Sequence, residues 1–142
     1  MSKRIVPLAA ISLLAAMTPV FAQARLISVA VDGAQANNHS NRPRASGDGL
    51  RVVFVSKATN LDGEPDANGA DDIYLWDNTG YSTGRPPLVL RMSVSATGVA
   101  ANGPSWDPAI SEDGKWVAFA SAASNLVAGD TNGTPDIYVR HV

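Results

Sequence analysis

The feature that most constrains this chain of 142 residues is an internal repeat of about 65 residues. Shifting the sequence by that length aligns Asp48-Gly49 with Asp113-Gly114, and after a one-residue slip it aligns Asp72-Ile73-Tyr74 with Asp136-Ile137-Tyr138. The same register also aligns Ser28 with Ser93, Ser40 with Ser105, Pro43 with Pro108, Ser46 with Ser111, Phe54 with Phe119 and Ser56 with Ser121. This many identities in one register indicate that a single structural module occurs twice.

Each repeat has the pattern of short strands and turns. An Asp-Gly turn precedes Leu50–Ser56 in the first repeat and Lys115–Ser121 in the second, and both runs are rich in Val, Phe or Trp. Further strand-like runs are Ile73–Trp76, Ile137–Val139, Pro87–Val94 and its counterpart Leu26–Val31. Helical apolar periodicity is absent after the N-terminal segment. The sequence therefore predicts an all-β protein with four antiparallel strands in each repeat.

Repeated four-stranded units predict the blades of a β-propeller. The repeat is longer than typical blades of about 40–50 residues, which indicates long loops. We expect Phe54 and Phe119, with Val52 and Val117, to fill the layer between neighbouring blades. Two blades form an incomplete ring. A β-sandwich assembled from both repeats is the alternative, since seven short strands would also suit that fold.

The first 22 residues have the layout of a secretory signal peptide. Lys3 and Arg4 precede an apolar stretch, Ile5–Met17, and small residues then lead to an expected cleavage site between Ala22 and Gln23. The apolar stretch is shorter than the roughly 20 residues that span a bilayer. The prediction is a periplasmic or secreted protein with no membrane span after cleavage, in which residues 23–142 contain repeats at about 24–82 and 89–142.

Composition excludes several classes of function. The chain has no cysteine, which rules out disulfides, thiolate metal sites and a cysteine nucleophile. A formal net charge of −2 gives no basic excess for nucleic acid. A serine nucleophile needs a nearby base, and the two histidines, His39 and His141, lie outside the repeated core motif. We therefore expect a protein that is not an enzyme and does not bind nucleic acid.

The repeated motif resembles a known family. It runs from Pro43 through Ser46-Gly47-Asp48-Gly49 to a strand that ends in Phe54-Val55-Ser56, and then to Asp72-Ile73-Tyr74. This order is similar to the TolB-type β-propeller repeat, although Gly47 and Glu112 stand where that family often has proline. The resemblance covers almost all of residues 23–142. It implies propeller blades and a scaffold that binds a protein partner through its loops.

Two matching loops are candidates for binding a hard cation. Oxygen-bearing side chains recur around a glycine turn in each loop, and oxygen ligands at such spacing suit Ca²⁺. The candidate ligands are Asp66, Asn68 and Asp72 in the first repeat and Asp130, Asn132 and Asp136 in the second. The alternative is that these side chains close their own loops by accepting hydrogen bonds from backbone amides.

The three tryptophans leave a second class of function open. Trp76, Trp106 and Trp116 either fill the layers between blades or offer faces on which sugars stack. A surface module for glycan or peptide with Ca²⁺-shaped loops is therefore an alternative to the protein scaffold. Two more alternatives are a truncated remnant of a larger propeller and the propeller domain of a peptidase.

The missing last strand of the second repeat suggests self-association. Leu26–Val31 matches that strand, so we expect it to complete the second blade of its own chain or of a neighbour. Isolated blades expose strand edges and apolar faces, which promote pairing. Three chains would form a six-bladed ring, within the common range of four to eight blades.

Overall fold

A computed structural model describes residues 24–142 as two antiparallel β-sheets. Sheet 1 contains β1 (Ser40–Ala45), β2 (Arg51–Ser56), β3 (Asp72–Asp77) and β4 (Leu88–Arg91), and sheet 2 contains β5 (Ser105–Ile110), β6 (Trp116–Ser121) and β7 (Asp136–His141). Neighbouring strands follow chain order in both sheets. The helical content of the described residues is one short 3-10 turn, Tyr81–Thr83. The all-β prediction is confirmed.

The Asp-Gly turns connect the first two strands of each sheet as predicted. Gly49 and Gly114 have φ angles of 69° and 71°, a backbone conformation that glycine adopts without a steric clash. The Ser46 hydroxyl donates to Asp48 Oδ1 at 2.6 Å, and the Ser111 hydroxyl donates to Asp113 Oδ1 at the same distance. The two hairpins are therefore built by the same local interactions.

Strands β1 and β5 are not obvious from the sequence. Each contains an irregularity in register, between Asn41 and Arg44 in β1 and between Trp106 and Ala109 in β5. Arg42 and Asp107 occupy the same position in the two bulges, with φ angles of 53° and 51°. The two sheets thus share even an unusual backbone feature.

A layer of apolar side chains lies between the two sheets. Val53, Val55, Ile73 and Leu75 of sheet 1 belong to the same buried cluster as Val117 and Phe119 of sheet 2. Each sheet is formed by consecutive strands of one repeat, so the repeats do not interleave. The prediction that Phe119 and Val117 fill the layer between repeats is confirmed.

The other face of sheet 1 is covered by the segment that precedes β1. Phe54, Tyr74 and Trp76 form a second cluster on that face, and Ile27 and Ala36 pack against it. Phe54 and Val52 therefore pack in this layer and not between the two sheets, so the prediction is wrong for these two residues. The central strands of sheet 1, β2 and β3, are thus covered on both faces, whereas β1 is largely exposed.

Two strand predictions are wrong for the single chain, while pairing of Leu26–Val31 with a neighbouring chain stays a prediction. Leu26–Val31 does not form a strand, because its pairing is limited to an isolated bridge between Val29 and Gln35. Sheet 2 has three strands and not four, since nothing in the described residues pairs with the outer edge of β7. The segment instead packs against sheet 1, whose apolar face it shields from water.

The predicted signal peptide, residues 1–22, lies outside the described residues. Within residues 24–142, no helix is long and apolar enough to cross a membrane.

Candidate functional site

The first candidate cation loop is closed by its own side chains. Asp66 Oδ1 accepts hydrogen bonds from the backbone N–H groups of Asn68 at 3.2 Å and Gly69 at 3.1 Å. Asn68 Oδ1 accepts one from the N–H of Ala70 at 2.6 Å. These bonds fix a turn without any ligand, as Asp and Asn commonly do. The side-chain amide of Asn68 donates outside the loop, to the carbonyl oxygen of Ala101 at 2.6 Å.

The second loop repeats part of this arrangement. Asn132 Oδ1 accepts a hydrogen bond from the N–H of Thr134 at 2.8 Å, while its side-chain amide donates to Asp136 Oδ2 at 3.1 Å. The Tyr138 hydroxyl donates to Asp130 Oδ2 at 2.9 Å. Burial and this bond to a carboxylate raise the pKa of Tyr138 to about 12. The loop oxygens again bond protein groups.

Asp72 belongs to a buried ionic cluster. Arg91 Nε lies 3.0 Å from Asp62 Oδ2, and Arg91 Nη1 lies 3.7 Å from Asp72 Oδ2. Burial raises the pKa of Asp72 to about 6, although the Ser93 hydroxyl bond and the Arg91 charge act in the opposite direction. The guanidinium of Arg91 thus supplies the positive charge beside the carboxylates of the first loop.

The structure does not collect the six candidate ligands around one point. Residues 24–142 contain no group of three or more His, Asp or Glu side chains arranged to hold a metal ion. Asp66, Asn68 and Asp72 serve the first loop and its ionic cluster, and Asp130, Asn132 and Asp136 serve the second loop. Within the described part of the chain, Asp66 Oδ2 and Asp72 Oδ2 are buried without a hydrogen-bond partner, whereas the oxygens whose hydrogen bonds are described above bond protein groups. Calcium binding stays a prediction.

The most unusual surface lies on sheet 2. We call it the open face and define it by the directly opposed residues of β6 and β7: Trp116, Ala118, Ala120, Ile137, Val139 and His141. Trp106 of β5 pairs with Ala120 and therefore lies on the same side. Ile137 is 78% exposed and Val139 is 66% exposed. Contiguous exposed apolar residues of this kind mark interaction sites on soluble proteins.

Sheet 1 shows what such a face does when it is covered. Ile73 and Leu75 hold the positions of Ile137 and Val139 in the repeat, and both are fully buried against sheet 2. All six residues of β3 are buried, whereas the residues of β7 alternate between partly buried and exposed. The open face of sheet 2 therefore has the chemistry of an internal packing surface that faces solvent in the single chain.

A groove runs beside the open face along the outer edge of β7. Its volume is about 310 Å³, and its lining includes Met92, Leu126, Val127 and Tyr138. In sheet 1 the corresponding edge, that of β3, is paired with β4. Unpaired strand edges present backbone donors and acceptors to any incoming strand.

The sequence predicts that an apolar face and a strand edge are exposed, but it does not locate the open face, because the residues of that face resemble those of buried strands. The tryptophans divide between the two roles considered: Trp76 is buried in the cluster on sheet 1, whereas Trp116 is 48% exposed beside the ring of His141. Trp76 is therefore a packing residue on the face of sheet 1 away from sheet 2, and its place between blades stays a prediction. The signal that could have located the face is the absence of a partner for the apolar positions of β7.

Comparison with protein-family models, curated proteins and solved structures finds no match for this chain.

Proposed function

We propose that this chain is an exported, non-enzymatic repeat protein of the β-propeller type that acts as a scaffold, binding another protein through the open face of sheet 2. The observation that carries the proposal is the contrast between Ile73, which is fully buried, and Ile137, which is 78% exposed at the same position of the repeat. Placing an apolar sheet face in water is unfavourable by about 25 cal/mol per Å². A protein partner on this face removes that cost.

The order of strands supports blades of the TolB type. Each repeat forms its own antiparallel sheet with strands in chain order, and the two sheets pack face to face through an apolar layer. This is the relation expected of consecutive blades. Propellers of one family serve many roles, so the binding function rests on the exposed face and not on the fold.

The surroundings of the two histidines support a non-enzymatic role. The His39 ring contacts the carboxylate of Asp71 at 3.3 Å and the Asn38 side chain at 3.1 Å. The His141 ring packs edge-to-face on Trp116. Among the described residues, neither ring bonds a serine or threonine hydroxyl, which is the contact that a histidine base uses to activate a nucleophile.

A photo-crosslinking experiment tests the binding function. A photoreactive amino acid at Val139 is expected to crosslink a protein in the exporting cell, whereas one at Tyr81, which is also well exposed but lies outside sheet 2, is expected not to. Equal, background-level crosslinking at both positions would contradict the proposal. Identification of the crosslinked protein by mass spectrometry then names the partner.

Export is tested separately. The protein recovered from the periplasmic fraction or the culture medium should begin at Gln23, because cleavage is expected after Ala22. Recovery of the full-length chain from the cytoplasm alone would overturn this part of the proposal.

The exposed indole of Trp116 favours a second candidate function, sugar binding. A half-exposed aromatic face is suited to stacking on a sugar ring. A glycan array of the wild type and of Trp116→Ala, each with and without a chelator, tests it. Binding that is lost in the variant and sensitive to the chelator would support a glycan module with Ca²⁺-shaped loops, and the absence of any sugar signal would exclude it.

A further inference from the structure

The boundary between the two sheets contains polar contacts that involve residues common to both repeats. The Ser93 hydroxyl donates to Asp72 Oδ1 at 2.6 Å and accepts a bond from the N–H of Ile73 at 3.1 Å. The side-chain amide of Asn68 donates to the carbonyl oxygen of Ala101 at 2.6 Å. Ser93 and Ala101 flank the bridge between Val94 and Ala100, in the segment that leads from sheet 1 to sheet 2. Asp72 and Asn68 therefore connect sheet 1 to this segment.

The residues that form this boundary occur a second time in the chain. One set lies in β7 and the loop before it, and the other lies in the N-terminal segment. Asp136, Ile137 and Asn132 of sheet 2 are identical to Asp72, Ile73 and Asn68, and Ser28 and Ala36 are identical to Ser93 and Ala101. Val29 and Gln35 form the same isolated bridge as Val94 and Ala100. Within residues 24–142, no hydrogen bond joins Ser28 or Ala36 to sheet 2.

A paired difference between the repeats supports the match between these two sets of residues. In sheet 1, Arg91 of β4 forms a buried ion pair with Asp62. The corresponding residues are Leu26 in the N-terminal segment and Val127 in sheet 2, so that the ion pair is replaced by an apolar pair. Leu26 is 54% exposed and Val127 is 53% exposed in the single chain. Leu26 and Val127 lie in separate parts of the chain, and both are apolar where the matching residues of sheet 1 are charged.

Charge and shape are also complementary across the boundary. The Arg42 guanidinium pairs with the carboxylate of Asp107, and these two residues occupy equivalent bulge positions. The N–H of Gly47 donates to the carbonyl oxygen of Glu112, also at equivalent positions, at 2.8 Å. A Cβ atom on Gly47 would lie 2.7 Å from Glu112 Cγ. At this boundary the two repeats therefore place opposite charges at one pair of equivalent positions and a large residue beside a glycine at another.

We infer that the partner on the open face is a second copy of this chain, docked head to tail. The inference rests on the proposed function, since it names the occupant of the same face. Residues 24–26 of the second copy pair with the outer edge of β7, as β4 pairs with β3, and its Phe54 face, together with the N-terminal segment that packs on that face, covers Ile137 and Val139. Asp136 then accepts a hydrogen bond from Ser28 of that copy, and Asn132 donates to its Ala36 carbonyl oxygen.

This arrangement gives the repeated Asp and Asn side chains a role as connectors between successive sheets. A head-to-tail contact uses two different surfaces, so it generates either a closed ring or an open fibre. Three copies would supply six sheets, which lies within the common range for closed propellers.

Disulfide trapping between two single-cysteine variants tests the contact, because the natural chain has no cysteine. Leu26→Cys and Val127→Cys are both well exposed, so both should fold normally. Under mild oxidation the mixture is expected to form a disulfide-linked dimer through residues 26 and 127, and each variant alone is expected to form far less. A mixture of Tyr81→Cys and Val127→Cys is the matched control.

Sedimentation velocity gives the second measurement. The wild type is expected to sediment as a multiple of the chain mass, and Ile137→Asp is expected to weaken association about tenfold or more, because a charge enters an apolar interface. Circular dichroism of Ile137→Asp should match the wild type, since the residue is exposed. A monomeric wild type, or 26–127 crosslinking no greater than that of the Tyr81 control, overturns the inference.

The outcomes separate this inference from the proposed function. If the wild type is a monomer and the photoreactive group at Val139 captures a different protein, the scaffold function holds and the second copy is wrong. If the wild type is a monomer and Val139 captures nothing, both are wrong.

Discussion

Sheets 1 and 2 have closely related sequences and very different surroundings. Strand β3 and strand β7 both begin Asp-Ile-Tyr, yet every residue of β3 is buried while β7 alternates between partly buried and exposed. Sheet 1 has a covering layer on each face, and sheet 2 has one. The difference shows that the repeat sequence specifies the strand, whereas the neighbouring layer decides which of its residues are buried.

The residues on the two equivalent faces differ in size as well as exposure. Val53 and Val55 of sheet 1 correspond to Ala118 and Ala120, and the pair formed by Arg51 and Asp77 corresponds to Trp116 and His141. The open face keeps its apolar character despite these changes. It is therefore not a surface adapted to solvent.

The largest expected difference between the sheets concerns the buried ion pair. Asp62→Val leaves the buried guanidinium of Arg91 without its closest partner, and it should lower the free energy of unfolding by about 3–5 kcal/mol in urea denaturation. Val127→Asp, the exposed counterpart in sheet 2, should change it by about 0.5 kcal/mol or less when measured on the monomer.

The double variant Asp62→Val/Arg91→Leu sharpens this comparison. It gives sheet 1 the Leu and Val that stand at the corresponding positions of the repeat, Leu26 and Val127, so part of the lost stability should return. A double variant less stable than Asp62→Val would show that the two pairs are not interchangeable.

Replacing the isoleucines that occupy the same position in the two repeats should give the next largest difference in the free energy of unfolding. Ile73→Ala removes fully buried methyl groups and should cost about 2–5 kcal/mol of unfolding free energy. Ile137→Ala should cost about 0.5 kcal/mol or less in dilute, monomeric protein. Equal losses measured by urea denaturation of the monomer would mean that the open face is covered within the single chain.

Replacing the two hairpin glycines by alanine should destabilise the fold by modestly different amounts. Gly49→Ala forces alanine into a left-handed conformation at a cost of about 1 kcal/mol, with nothing near the new Cβ. Gly114→Ala carries the same strain, and its Cβ would also lie 3.0 Å from Arg51 Cδ, so it should cost more. Thermal unfolding of the two variants measures the difference, and a smaller loss for Gly114→Ala would contradict the packing of Arg51 on the second hairpin.

The smallest expected effect is on the pKa of one aspartate in each hairpin, and it should be alike in the two sheets. Hydrogen bonds from Ser46 and from the N–H of Leu50 lower the pKa of Asp48, and bonds from Ser111 and from the N–H of Lys115 lower the pKa of Asp113. Ser46→Ala should raise the pKa of Asp48 towards its ordinary value and leave that of Asp113 unchanged. Ser111→Ala should do the reverse, and carboxyl NMR titration measures both.

The sign of the pH dependence follows from those shifts. A carboxyl group whose pKa is lower in the folded state stabilises the fold above its unfolded pKa of 3.8, and this contribution is lost as the pH falls through the folded pKa. In each serine variant the loss of stability on acidification should be smaller than in the wild type, because the folded pKa moves towards the unfolded value. An equal loss in the variant and the wild type would show that the hydroxyl bond has no role in the shift.

Much of the fold could be predicted from the sequence because local rules apply to it. The Asp-Gly turns require a positive φ, and the apolar runs that follow them form β2 and β6. Strands β1 and β5 were not located, because each carries a proline, polar residues and a bulge. They form because β2 and β6 offer them a hydrogen-bonding edge, which is a tertiary effect.

The candidate site was less predictable. Asp66, Asn68 and Asp72 have the right spacing for a cation, but the sequence does not reveal that Arg91, from a strand distant in the chain, lies among the acidic groups. The sequence predicts an exposed apolar face but does not assign it to sheet 2, because Ile73 and Ile137 are the same residue in the same motif and their exposure depends on what packs above them.

The sequence by itself determined that one β-rich module occurs twice, where its hairpins turn, and which residues repeat, because turn geometry and strand propensity act over a few residues. The tertiary structure decided that the N-terminal segment covers sheet 1 and that sheet 2 keeps one face and one edge uncovered. Burial is a property of pairs of surfaces, so it is fixed only when the layers are placed against each other.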